Sequence, residues 1–137
     1  MIGMLIVAHG ALGEALIRSS SHVMGCRPLN VAALEVSVQD DPDVVYARAL
    51  ELVGQVNQGD GVLVLTDILG ATPSNVATRL VLPGEVEAVS GVNLPMLVRA
   101  LTYRGEGLAT VLEKAKSGGH EGVAHIVPEA GNAARRS

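Results

Sequence analysis

The sequence has no tryptophan, no phenylalanine and only two tyrosines, Tyr46 and Tyr103. Modules that grip single-stranded nucleic acid by stacking bases on aromatic rings are therefore excluded. The same lack speaks against flavin binding. Basic clusters are missing too. Ten Lys and Arg stand against 14 Asp and Glu, for a formal net charge of −4, and no basic run precedes Arg135-Arg136. A nucleic-acid partner, which would need clustered cations, is not expected. The single cysteine, Cys26, cannot close an internal disulfide, and no Cys/His spacing suits zinc. No apolar stretch is long enough to cross a bilayer, so direct membrane insertion is not expected. The apolar N-terminus lacks the basic region of a signal peptide and runs straight into His9-Gly10. These absences lead to the expectation of a cytoplasmic protein without metal or cofactor.

What remains is aliphatic. A chain of 137 residues, 48% of them hydrophobic, must build one core from Val, Leu, Ile and Ala. That bias suits parallel strands covered by helices on both faces. Gly and Pro divide the chain. Strands are expected at 2–8, 31–36, 61–66 and 86–90, with a last, shorter one at 121–127. A first helix has Leu12, Ala15, Leu16 and Val23 on one face and ends near Gly25. A second starts at Asp41 (N-cap) and Pro42 (N1), with an apolar stripe of Val45, Ala49, Leu52, Val53 and Val56. A third opens on the same signal, Thr72-Pro73, and ends near Leu82. Pro95 opens a short fourth helix ending near Tyr103. Leu108, Val111, Leu112 and Ala115 mark a fifth, stopped by Gly118-Gly119. From Pro128 the chain reads as a flexible tail.

The order βαβαβαβααβ predicts an α/β fold. It is an open, mainly parallel sheet of four strands plus a short antiparallel last strand, with helices on both faces. In such sheets, sites collect in the loops at the carboxyl ends of the strands. Three loops there carry unusual residues: Ala8-His9-Gly10-Ala11, Asp67-Ile68-Leu69-Gly70-Ala71-Thr72-Pro73 and Gly91-Val92-Asn93-Leu94-Pro95. If strands one and three are neighbours, His9 and Asp67 meet. A carboxylate bonded to one ring nitrogen fixes the imidazole tautomer and leaves the other nitrogen free to attack. The helix start at Gly70, Ala71 and Thr72 offers amide donors and a hydroxyl to a phosphoryl group, and Gly10 and Ala11 could add more. Phosphoryl transfer is mostly positioning and charge stabilisation, so these parts suffice. The residues alone also fit a plainer reading. A lone histidine at a strand end is commonly structural, Asp67 can cap its own turn, and Thr72 before Pro73 is explained as a helix N-cap. Cys26 reads as a free thiol, and His22, His120 and His125 show no partner spacing.

Three segments together resemble the mannose-family EIIA domain, the IIA component of the phosphoenolpyruvate-dependent sugar phosphotransferase system. They are Val7-Ala8-His9-Gly10, Asp67-Ile68-Leu69-Gly70-Ala71-Thr72-Pro73-Ser74-Asn75 and Ser90-Gly91-Val92-Asn93-Leu94-Pro95-Met96-Leu97. The resemblance covers residues 1–127, which it makes one domain. It implies that His9 accepts phosphate from phospho-HPr and donates it to a IIB component. It implies that Asp67 orients His9 and that Thr72 stands where the family has a hydroxyl residue, usually Ser. It also implies a homodimer, commonly formed by exchange of the last strand. The chain departs from the pattern at Ala71, usually a second Gly, and at Arg99, where an acidic residue often follows. No IIB domain or linker follows, so the sequence is equally compatible with a separate subunit of a sugar transporter and with a regulatory phosphoprotein using the same His9 chemistry. A non-enzymatic flavodoxin-like binding module and the phosphoryl-donor subunit of dihydroxyacetone kinase are the remaining alternatives; the second motif of the latter differs in kind.

Overall fold

The computed structural model describes residues 1–128. The tail expected at 128–137 lies, beyond Pro128, outside the described residues. Nine elements follow in order: β1 (Gly3–His9), α1 (Leu12–Met24), β2 (Val31–Val36), α2 (Pro42–Val56), β3 (Val62–Thr66), α3 (Thr72–Leu80), β4 (Val86–Val89), α4 (Leu94–Thr102) and α5 (Leu108–Glu121). The strands form one parallel sheet in the order β2-β1-β3-β4. Strand residues alternate between its faces. Met4, Ile6 and Ala8 of β1 join a cluster with Ile17 of α1, Leu97 of α4 and Val111 of α5. Leu5 and Val7 join Val45 and Ala49 of α2 and Val76 and Leu80 of α3 on the other face. The α/β architecture with helices on both faces is therefore as expected.

Two helices differ from the sequence reading. The buried stripe of α1 is Gly13, Ile17 and Ser20, with Leu16 partly buried beside it, while Leu12 and Val23 are exposed. The sheet comes too close for a larger residue: a Cβ on Gly13 would sit 3.0 Å from the Cβ of Ala33. Backbone proximity, and not apolar periodicity, chose this face. Helix α5 does not stop at its glycines but runs through them to Glu121. They are packing residues, since a Cβ on Gly118 would lie 2.8 Å from Arg99 Cβ and one on Gly119 2.7 Å from Met96 Cε. These glycines let α4 and α5 close together, and the favourable contact offsets their poor helix propensity.

The fifth strand is not formed. Residues 123–128 have no regular structure, and Val123, Ile126 and Val127 are exposed. A β-branched run is only a latent strand, because its backbone bonds must come from a distant edge. Among the described residues no strand pairs with the outer side of β4. A groove of about 570 Å³ follows that side, between Ala88, Val89 and Ser90 and the face of α5 that carries Leu112, Lys116 and His120.

At the amino edge of the sheet sits a residue the sequence reading passed over. Arg104 is 8% exposed. Its Nε and Nη2 donate to Ile2 O at 2.9 and 2.6 Å, Nη2 also to Asn30 O at 3.2 Å, and Nη1 to Leu29 O at 2.7 Å. Burial lowers its pKa from the ordinary arginine value.

Candidate active site

Strand β1 ends on His9, and β3 lies beside it in parallel register, Val7 opposite Thr66. One residue further along β3's chain, Asp67 leaves the sheet opposite Ala8, one step before the histidine. Its Oδ2 accepts the His9 backbone N–H at 2.9 Å and bonds His9 Nδ1 at 2.8 Å. Its Oδ1 accepts the N–H of Ile68 at 2.8 Å. Burial opposes ionisation of this carboxyl, but the His9 amide, the His9 ring and the Ile68 amide together outweigh it and hold the pKa below the ordinary aspartate value. Asp67 is thus an ionised, acceptor-only group, and Nδ1 must carry the proton. In the neutral ring Nε2 keeps its lone pair. The histidine side chain is 40% exposed and the aspartate 13%, so the pair has a sheltered half and an open half.

The second loop turns at Gly70, whose φ of +90° is the left-handed region that glycine enters without strain. Ala71, extended at φ −100° and ψ 173°, is the N-cap of α3, and Thr72 is the first helical residue. This corrects the reading of Thr72 as the cap: its hydroxyl makes no hydrogen bond among the described residues. The helix has no side-chain cap; Ser74 instead braces the turn before it, its Oγ accepting Gly70 N–H at 2.9 Å and donating to Ala71 O at 2.9 Å. The Gly70 amide is therefore occupied and does not face a ligand. Gly10 is also removed from the expected donors, since its N–H goes to Val36 O at 3.0 Å. The amides of Ala11, Ala71 and Thr72, the Thr72 hydroxyl and the positive end of the α3 dipole remain.

The third loop is structural. Gly91 N–H donates to Asp67 O at 3.1 Å and Val92 N–H to Thr66 O at 2.9 Å, which ties this loop to the second. Asn93 Oδ1 accepts Met96 N–H at 2.9 Å as the cap of α4, and its Nδ2 donates to Gly119 O at 3.1 Å. Arg99 reaches α5, bonding Ser117 Oγ at 3.2 Å and pairing with Glu121. His22, His120 and His125 take no part in the His9–Asp67 pair. Among the described residues no group of three or more His, Cys, Asp and Glu side chains could hold a metal. No described helix is long and apolar enough to cross a membrane.

The sequence profile of the EIIA-man family, described as PTS system fructose IIA component, matches residues 3–116. The chain belongs to this family. Among its relatives is the PTS system mannose-specific EIIAB component of Escherichia coli K12, 29% identical over 106 residues. The match takes in 77% of this chain but 32% of that protein, so the chain spans about a third of the relative's length. Among solved structures, phosphotransferase system component EIIA from Streptococcus agalactiae is 28% identical with a TM-score of 0.81, over 91% of this chain and 97% of that one. The mannose/sorbose specific IIA subunit from Enterococcus faecalis is 23% identical with a TM-score of 0.82, over 93% and 97% of the two chains, and shares the fold. Membership of the EIIA-man family makes this chain a phosphotransferase-system component of the mannose type, consistent with a general role in phosphoryl transfer.

Proposed function

We propose that this IIA chain is a phosphohistidine carrier of the phosphoenolpyruvate-dependent sugar phosphotransferase system. Residues 1–127 act as the carrier domain, accepting a phosphoryl group from phospho-HPr on Nε2 of His9 and passing it to a IIB component. One observation carries the proposal: the half-open His9 ring is bonded through Nδ1 to an ionised, sheltered Asp67. Such a ring is a preset nucleophile. Nε2 forms the bond to phosphorus as the donor's own bond to phosphorus breaks, and that electron pair stays with the donor. The Nδ1 proton remains in place, and Asp67 offsets the positive charge the ring acquires. The amides of Ala71 and Thr72 and the Thr72 hydroxyl, at the N-terminus of α3, receive the phosphoryl oxygens. The open β4 edge and the exposed apolar residues of 123–128 favour a homodimer in which the last segment of one chain lies on the edge of the other. The acidic composition, with no membrane-spanning helix among the described residues, fits a cytoplasmic carrier.

Incubation with phosphoenolpyruvate, enzyme I and HPr should add one acid-labile phosphoryl group per chain, read by intact mass. His9→Ala should abolish it, and addition of a mannose-type IIB protein should discharge it. Labelling that survives in His9→Ala would sink the assignment.

A further inference from the structure

Gly70 is exposed at the bend of the site loop, and a side chain there would meet nothing within 4 Å, so packing does not hold this turn in place. The neighbouring Ile68 and Leu69 are 59% and 78% exposed and do not anchor it either. The loop is tied at its start by Gly91 N–H on Asp67 O, and at Gly70 itself by one hydroxyl. Ser74, 5% exposed, stands on the first turn of α3 and reaches back across the N-cap. It takes Gly70 N–H and gives its own proton to Ala71 O, each at 2.9 Å. The Ala71 carbonyl also accepts Asn75 N–H at 3.0 Å, and the Ser74 carbonyl accepts the Thr78 hydroxyl at 2.9 Å, so the clamp is rooted in the helix.

We infer that Ser74 is a positioning residue for phosphoryl transfer at His9, acting through the Gly70-Ala71-Thr72 backbone that it clamps. This inference rests on the reading of His9 as the phosphoryl acceptor. The Ser74 hydroxyl touches neither His9 nor Asp67. Its two bonds hold the Leu69–Gly70 and Ala71–Thr72 peptide planes; the second carries the Thr72 amide, and the Ala71 amide lies on the peptide pinned between them, the two donors assigned above to the phosphoryl oxygens. Donors fixed beforehand need not reorganise as charge shifts in the transition state. Without the hydroxyl, Gly70 N–H can turn to water, and the loop samples orientations in which those amides miss the phosphoryl oxygens.

The test compares wild type and Ser74→Ala in phosphorylation by purified phospho-HPr under single-turnover and steady-state conditions. Alanine keeps the helix and removes only the hydroxyl. The expected result is a fall in the transfer rate of between about 10-fold and 100-fold at unchanged KM for phospho-HPr. A moved ³¹P resonance of the phosphohistidine is expected with it. Ser74→Cys, which keeps the size but weakens both bonds, should fall between the two, and it is read in the same way if the alanine variant loses its fold. An unchanged rate and resonance, or a rise in KM with the rate intact, overturns the inference. Failure of the wild type itself to label on His9 would overturn the carrier reading instead, which keeps the two failures distinct.

Discussion

The two edges of the sheet each hold a charged side chain that sequence neighbours do not explain, and they treat it in opposite ways. At the amino edge, Arg104 is sunk among three backbone carbonyls, with no carboxylate among its bonds. At the carboxyl edge, Asp67 is bonded to a histidine whose ring stands half in solvent. The arginine joins segments far apart in sequence, the start of β1, the approach to β2 and the turn after α4, and its partners are all main chain. The aspartate joins two loop residues and leaves reactive capacity unspent. One edge uses charge to close the fold, and the other uses it to prepare a group for reaction.

That contrast can be broken by substitution. Arg104→Met should have the largest effect on the molecule. It takes the side-chain donor from the carbonyls of Ile2 and Leu29, while Asn30 O keeps Met4 N–H at 3.1 Å, and should cost roughly 3–5 kcal/mol of stability, measured by urea unfolding at pH 7. The folded fraction should still accept phosphoryl at the wild-type rate; a slowed rate would mean that the two edges are coupled.

Asp67→Asn should do the reverse. The carboxylate takes three N–H donors on its two oxygens, and an amide must point its own NH₂ at one of them. Phosphoryl acceptance should slow by about 100-fold, with the fold retained and the melting temperature modestly lowered at neutral pH. A side effect concerns acid. Because the folded pKa of Asp67 lies below its unfolded value, its contribution to stability is present above about pH 4 and is lost as pH falls through the lowered folded value. Asp67→Asn should therefore unfold less steeply with acid than wild type. Thr72→Val should give the smallest change, a loss of about tenfold in transfer rate without effect on stability, since the hydroxyl makes no bond within the described residues.

Much of this was legible in the sequence, and the residues that were not share a cause. Strand β2 and the cap at Asp41, whose side chain accepts Asp43 N–H at 2.9 Å, follow from local chemistry and were readable. So was the meeting of His9 with Asp67, once β1 and β3 were placed side by side. Arg104 was invisible because nothing in Tyr103-Arg104-Gly105 says that a cation will be buried. Ser74 was invisible as well, because its bonds to Gly70 and Ala71 depend on the turn that the loop adopts and not on a local capping pattern. Gly118 and Gly119 read as a helix stop and Gly13 carried no reading, whereas in the fold all three are contact surfaces. The strand expected at 121–127 failed for the general reason that sheet pairing is settled by a partner and not by composition.

The double use of Asp67 Oδ2 has a consequence for energetics of exchange. One carboxylate oxygen holds both the main chain and the ring of His9. By drawing on the Nδ1 proton it pushes electron density toward Nε2. A more electron-rich nitrogen is a better attacking atom and a poorer leaving group. In the proposed carrier, the contact that speeds loading would thus tilt the equilibrium toward the loaded form and slow its discharge. The strength of a single hydrogen bond would set the transfer potential of the phosphoryl group, and with it how far each acceptor must outbid His9 to take the group away.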